Sequence, residues 1–457
     1  MENKSPPTLE SLQAAIEMTN TLNMEIFYWW CIALMIIIHA GFLAYEIGAS
    51  RLKNVLAAGI KNILAFGFIV PTFFLFGWAI YNGFPDGLVP RLEALMNALP
   101  GSPVMGPNLK DNATGIFWGA FALFSATTGS IISGALIERV RMSAFIIMTI
   151  ILGSCLWLFA AAWSWHPEGW LTVRYGFHDV GAAGCVHMLA GFFALGVTIN
   201  LGARIGRFNP DGSANPIEGH SMPMSIIGLM MIIAGFLGFL GGCIIYNSGA
   251  QWVNIYGAPT NLSAYAFNAL MAFAGGLIGA YLTTREPFWM MCGGLAGIVS
   301  VAPGLDLYYP GLAYLIGMGV SAAATMVNKQ MLKFRLDDPV GAFAVHGFGA
   351  FAGLLLSGIF LSGYPNVNGM PPISFTGQTL GAVLLAALGF FPGFAISWLL
   401  KKTGMLRVPR HAEERGLDLT EVPAQAYPEW TANLAGGQAD AAADMNVGAG
   451  KLAARPA

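Results

Sequence analysis

Two histidines, His187 and His346, close matching nine-residue stretches in an otherwise apolar chain. One stretch runs Asp179-Val-Gly-Ala-Ala-Gly-Cys-Val-His187 and the other Asp338-Pro-Val-Gly-Ala-Phe-Ala-Val-His346. Each has an Asp, a His eight residues later, a Val just before the His and a small-residue run after it. A neutral imidazole donates from one ring nitrogen and accepts on the other, and it gains or loses a proton near neutral pH. A pair of them therefore suits proton transfer or the passage of a small polar molecule. The competing reading is two buried, hydrogen-bonded structural histidines. An ionisable ring in a Gly/Ala-rich apolar segment is costly, however, and a matched second copy points to a shared pathway.

The elements that must hold these rings are membrane spans. Of 457 residues, 56% are hydrophobic and only 10% charged, against about a quarter charged in soluble domains. At about 20 apolar residues per span, eleven candidates lie near 26–46, 58–82, 115–137, 144–163, 181–203, 223–247, 262–284, 287–303, 309–331, 341–362 and 378–402. The expected fold is thus all-α and integral to a membrane. Residues 1–24 form an N-terminal segment, with Thr8 capping a short surface helix from Leu9. Residues 25–403 form the transmembrane domain. Residues 404–457 form a tail, Gly/Ala-rich and disordered after about 430. No removable signal peptide is read at Met1 to Met24.

Basic residues alternate between the two sets of loops. One set carries Arg51, Lys53, Arg139, Arg141, Arg204, Arg207, Arg285, Lys329, Lys333 and Arg335, while the other has only Arg91, Lys110 and Arg174. The positive-inside rule makes the N-terminus external and the tail cytoplasmic. Spans one to five and six to ten then form two inverted five-helix repeats, with one final helix after them. His187 falls in the fifth span and His346 in the tenth, so the repeat brings both rings to the pseudo-two-fold axis near the midplane. Near-neutral charge with scattered basic residues argues against nucleic acid as a partner. The five cysteines fall in apolar segments without CxxC spacing. With no catalytic triad, phosphate loop or metal motif, neither an enzyme nor a cofactor is expected.

Several runs, taken in order, resemble the ammonium transporter family (Amt/Mep/Rh), in its bacterial or archaeal Amt branch. They are Gly41 to Glu46 with Arg51-Leu52-Lys53-Asn54, Gly134-Ala135-Leu136-Ile137-Glu138-Arg139, the two His motifs, and the tail from Leu406-Arg407-Val408-Pro409 to Ala426-Tyr427. The resemblance implies a homotrimer in lipid, a pore through each subunit, ammonium or ammonia as substrate, and a PII-type regulatory protein at the cytoplasmic face. It places Trp165 and Asp179 at the outer recruitment site with Phe236 and Cys243, makes Phe124 and Phe239 a hydrophobic gate, and leaves His187 and His346 lining the pore. Asp338 reads as a structural acid. Bland counterparts are an interfacial belt Trp for Trp165, a helix cap for Asp179, and core or lipid-facing rings for the two Phe.

Ammonium differs from potassium in that it can shed a proton and cross as neutral ammonia, whereas a bare cation in hydrocarbon costs several kcal/mol or more. The twin histidines suit that chemistry, as conduit, as proton relay, or as both. The chain departs from the family at the recruitment site. Cys243 replaces a usual Ser, Phe236 a Trp, Ala120 a Phe and Gly341 an Asp, and Val180-Gly181-Ala182-Ala183 replaces an aromatic-small-Gly-Gly run. A thiol is a poor acceptor, which points to low affinity. Three alternatives stay open: an electroneutral Rh-like ammonia or methylamine channel, a sensor acting through a separate partner, and a cytochrome with His187 and His346 as axial haem ligands.

Overall fold

In the computed structural model, residues 8–100, 112–247, 251–367 and 369–428 are described. The expected disorder after about 430 lies outside them. Among the described residues, eleven helices are long and apolar enough to cross a membrane. They are α1 (Leu9–Ala49), α2 (Leu52–Gly83), α3 (Ile116–Leu136), α4 (Met142–Ser164), α5 (Ala183–Leu201), α6 (Met222–Gly241), α7 (Leu262–Thr284), α8 (Pro287–Gly304), α9 (Pro310–Lys333), α10 (Phe343–Phe360) and α11 (Phe375–Lys402). Side-chain caps start several of them. The oxygens of Thr8, Ser221, Asn261 and Ser374 accept from the backbone N–H three residues on.

Two boundaries differ from expectation. Thr8 does cap a helix, but that helix does not end before the first span. With no Gly or Pro between Leu9 and Ala40 to break it, α1 continues for 41 residues. At 1.5 Å per residue it is about 60 Å long, twice the hydrocarbon thickness. The sixth span stops at Gly241, short of 247. The β-branched residues after Gly242 instead form a hairpin, β1 (Ile244–Asn247) with β2 (Gln251–Asn254).

The helices that carry the repeat symmetry pack backbone to backbone. A Cβ on Gly41 of α1 would lie 2.6 Å from the Ile232 nitrogen of α6, and one on Gly228 of α6 would lie 2.3 Å from the Tyr45 nitrogen. Glycine is required at both positions by this approach. The α1–α6 seam and the α5–α10 pair hold the centre, with the other helices around them.

The basic loops converge on one end of the bundle, the tail side. Arg204 donates to both oxygens of buried Asp337, from its backbone N at 3.0 Å, Nε at 2.8 Å and Nη2 at 3.1 Å. Arg139 donates to the Asp337 carbonyl at 2.6 Å, and Arg51 to Glu138 at 2.8 Å. The tail seals this cluster. Arg407 donates to the carbonyls of Leu201 and Ala203, Glu413 accepts from the Ile205 N–H, and Asp418 accepts from the N–H groups of Leu56 and Ala57 at the start of α2.

Burial alone would raise the Asp337 carboxyl, but the charges of Arg139 and Arg204 outweigh it and hold the group well below the usual carboxylate range. A depressed folded value means that this stabilisation is complete above about pH 4 and is lost as pH falls through the folded value. Asp337→Asn removes the closer of the two carboxylates that face buried Arg204, leaving it only Glu138 at 3.4 Å, and costs about 3 kcal/mol. Thermal unfolding in detergent at pH 7 measures this; a variant as stable as the parent contradicts it.

Candidate functional site

Each histidine sits in a turn wound to i→i+5 spacing, Ala183–Met188 for His187 and Phe343–Phe348 for His346. Three residues after each Asp the backbone turns left-handed, with φ of +65° at Ala182 and +72° at Gly341. A Cβ at Gly341 would also lie 2.7 Å from the Trp289 ring, which accounts for glycine at this position. The same kink and the same wide turn therefore occur in both repeats, and wide turns of this kind frequently mark functional sites.

The turns bring the two rings together. The Nδ1 atoms of His187 and His346 are 3.1 Å apart, with ring centroids at 5.1 Å and planes 16° apart. One proton fits between them, so one Nδ1 donates and the other accepts. His187 is fully buried, and its Nε2 has no hydrogen-bond partner among the described residues.

A column of aromatic rings leads away from the tail side. Phe236 stacks on His187 at 5.6 Å and 16°, and Phe239 lies 5.7 Å from the same ring. Phe239 meets Phe124 edge-on at 4.6 Å, and Phe124 meets Trp165 edge-on at 5.2 Å. All four rings are buried. Phe124 and Phe239 are thus in contact as a pair, while Phe236 belongs to the level of the histidines. The indole of Trp165 is not open to solvent. Its Nε1–H donates to the Asp179 carbonyl at 2.7 Å, fixing the loop that carries the acid.

Asp179 is a cap. Its carboxylate accepts from the N–H groups of Ala183, Gly184 and Cys185 at 2.7, 2.8 and 3.1 Å, and its own N–H donates to the Tyr256 hydroxyl. Asp338 repeats the role with one bond, from the Phe343 N–H at 2.8 Å. Cys243 is buried, and its thiol turns back to the Phe239 carbonyl of its own turn at 3.5 Å.

Beside Asp179, on the side away from the tail, lies a network that sequence reasoning missed. His178 Nε2 is 3.1 Å from Asp306, and its Nδ1 is 2.9 Å from the Asn366 oxygen. The Asn366 amide nitrogen donates to the Pro371 carbonyl and Asn254 donates to Asp306, so both ring nitrogens of His178 face acceptors. This arrangement calls for a doubly protonated, cationic His178. Its partners lie 128 and 188 residues away, too far for any motif to announce them.

Eleven apolar spans packed around a buried pair of histidines define a multi-pass membrane protein. The profile described as "Ammonium Transporter Family" matches residues 26–427, and the chain belongs to that family. It is 30% identical over 424 residues to ammonium transporter Amt2 of Archaeoglobus fulgidus, covering 88% of this chain and 87% of that protein. It is 29% identical to ammonium transporter Amt1 of Methanocaldococcus jannaschii, covering 88% and 96%. A solved structure described as "Sensor Amt Protein" superposes with a TM-score of 0.76 at 26% identity, over 89% of this chain and 99% of that one. Candida albicans Mep2 shares the fold, with a TM-score of 0.70 at 20% identity.

Burial alone would lower the proton affinity of His178, but the Asp306 carboxylate, with the bonds to it and to Asn366, raises it above the usual imidazole value. The stabilisation is therefore complete below about pH 6.5 and is lost as pH rises through the elevated folded value. The unfolding temperature of the parent minus that of His178→Gln should shrink between pH 6 and pH 9. A difference that stays flat would falsify the cationic assignment.

Proposed function

We propose that this protein moves ammonium across a cell membrane by recruiting it on the side away from the tail, removing a proton and passing ammonia between the rings. The observation that carries this reading is the 3.1 Å contact between His187 and His346 inside an apolar, ring-lined bundle. Potassium cannot shed its charge and meets the full cost of entering the apolar column; ammonia crosses as a neutral hydrogen-bonding molecule. The basic loops on the tail side support an orientation with the tail in the cytoplasm. We take the chain to act as a homotrimer in the cytoplasmic membrane, with a PII-type regulatory protein as partner on the tail face.

Asp179 shapes the mouth rather than binding the ion, because three backbone donors occupy its carboxylate. The recruiting contact falls to aromatic faces, worth about 0.5–2 kcal/mol, and to the position of Cys243. With its thiol turned to the Phe239 carbonyl, Cys243 offers ammonium only a weak sulfur acceptor, which supports low affinity. A second reading, sensing relayed to a separate partner, draws on the likeness to a structure described as a sensor. Flux through the purified protein separates the two.

In proteoliposomes under an ammonium gradient, His187→Ala should lower current at least about ten-fold or admit potassium, the loss of one hydrogen bond to a charged group being worth about 1.5–3 kcal/mol. Unchanged current and selectivity contradict the twin-histidine path, and absence of both current and internal alkalinisation contradicts transport. A serine at position 243 can donate to the Phe239 carbonyl and still accept from ammonium. Cys243→Ser should therefore lower the half-saturating ammonium concentration about ten-fold, or about 1.4 kcal/mol. Sub-micromolar half-saturation in the parent rules out the low-affinity reading.

A further inference from the structure

On the tail side of the histidines lies a cavity of about 10 Å3, walled by Tyr45, Glu46, Ile131, Val340, Val345 and His346 among others. It has room for one water. His346 keeps 5% of its surface, whereas His187 keeps none. The acid facing His346 across this space is Glu46, on α1 and 2% exposed. Neither the twin-histidine contact nor the aromatic column makes use of it.

The surroundings of Glu46 satisfy it in two protonation states. Its Oε2 accepts from the Asn62 amide nitrogen at 3.0 Å, and its Oε1 is 2.5 Å from Ser133 Oγ. Ser133 Oγ is also 2.6 Å from the Ser130 carbonyl. When Glu46 is ionised, the Ser133 hydroxyl donates to Oε1. When Glu46 is protonated, Oε1–H donates to Ser133 Oγ, and the serine turns its own hydrogen to the Ser130 carbonyl. Rotation of one O–H bond exchanges the two states without leaving a buried donor unpaired. An acid with a purely structural role needs only one of them. Lys61, next to Asn62 on α2, is buried, has no hydrogen-bond partner for Nζ among the described residues, and feels the charges of Glu421 and Glu46.

We propose that Glu46 is the proton acceptor on the tail side of the twin histidines, reached from His346 through one water in this cavity. The inference rests on the transport reading above. An N–H bond of ammonium breaks as its proton bonds to the unpartnered Nε2 of His187, ammonia goes on down the column, and the Nδ1 hydrogen of His187 passes to Nδ1 of His346. The water takes the proton from His346 and gives one of its own to the Glu46 carboxylate, forming an O–H bond. That bond then breaks to tail-side water, ammonia is reprotonated there, and one ammonium charge has crossed for each ammonia.

The test uses the full chain in proteoliposomes and records two signals after a pulse of nitrogen-15 ammonium, current and ammonia entry read as labelled nitrogen accumulated inside. In Glu46→Gln, current should fall at least ten-fold while ammonia entry stays within about two-fold, and Glu46→Asp should restore most of the current. Ser133→Ala retains the acid but removes its switching partner, and should cut current several-fold with ammonia entry unchanged. An unchanged ratio of current to ammonia entry in Glu46→Gln and Ser133→Ala overturns the proposal. Loss of both signals together in Glu46→Gln and Glu46→Asp alike also overturns it. Absence of current in the parent, with ammonia entry present, instead overturns the relay reading beneath it, and the role of Glu46 with it.

Discussion

The single proton held between the Nδ1 atoms of His187 and His346 depends on the rest of the bundle staying in register. At 3.1 Å the contact tolerates only a few tenths of an ångström of drift. Its two rings come from helices 159 residues apart. Register is maintained from both ends. Asp179 and Asp338 pin the starts of the two wide turns, and the left-handed kinks at Ala182 and Gly341 aim them inward. Trp165 and Tyr256 hold the loop of Asp179 in turn. Asp179, placed at the recruitment site by resemblance, and Asp338, read as a structural acid, both act through the backbone.

The two ends of the protein solve the problem of burying charge differently. On the tail side, Asp337, Glu138, Arg139 and Arg204 neutralise one another, and the tail covers them with Arg407, Glu413 and Asp418. On the opposite side, His178 and Asp306 form a compact pair next to the mouth. Between them the column from Trp165 to His346 is apolar except for the imidazoles.

Much of this was legible in the sequence because its signals are local or repeated. Eleven apolar runs, the eight-residue spacing from Asp to His and the alternation of Arg and Lys depend on no distant partner. The length of α1 was missed because the polar residues before Met24 resemble a surface segment, although they contain no helix breaker. The end of α6 was missed because Ile244 and Ile245 suit strand and span alike. Glu46 was visible only as a letter in a family run. Its chemistry depends on Ser133, 87 residues on, and on a cavity that no spacing reveals. His178 was hidden in the same way, and Phe236 reads as recruitment by alignment yet stacks on His187 in space.

The contact between the histidines can be examined directly by nitrogen-15 magnetic resonance of the protein labelled at histidine, in bilayers at pH 7, with His187→Ala and His346→Ala used to assign the two rings. The account predicts two neutral imidazoles of opposite tautomer, one carrying its hydrogen on Nδ1 and sharing it with the unprotonated Nδ1 of the other. Two rings both protonated on Nε2, or a standing imidazolium at either position, would contradict it.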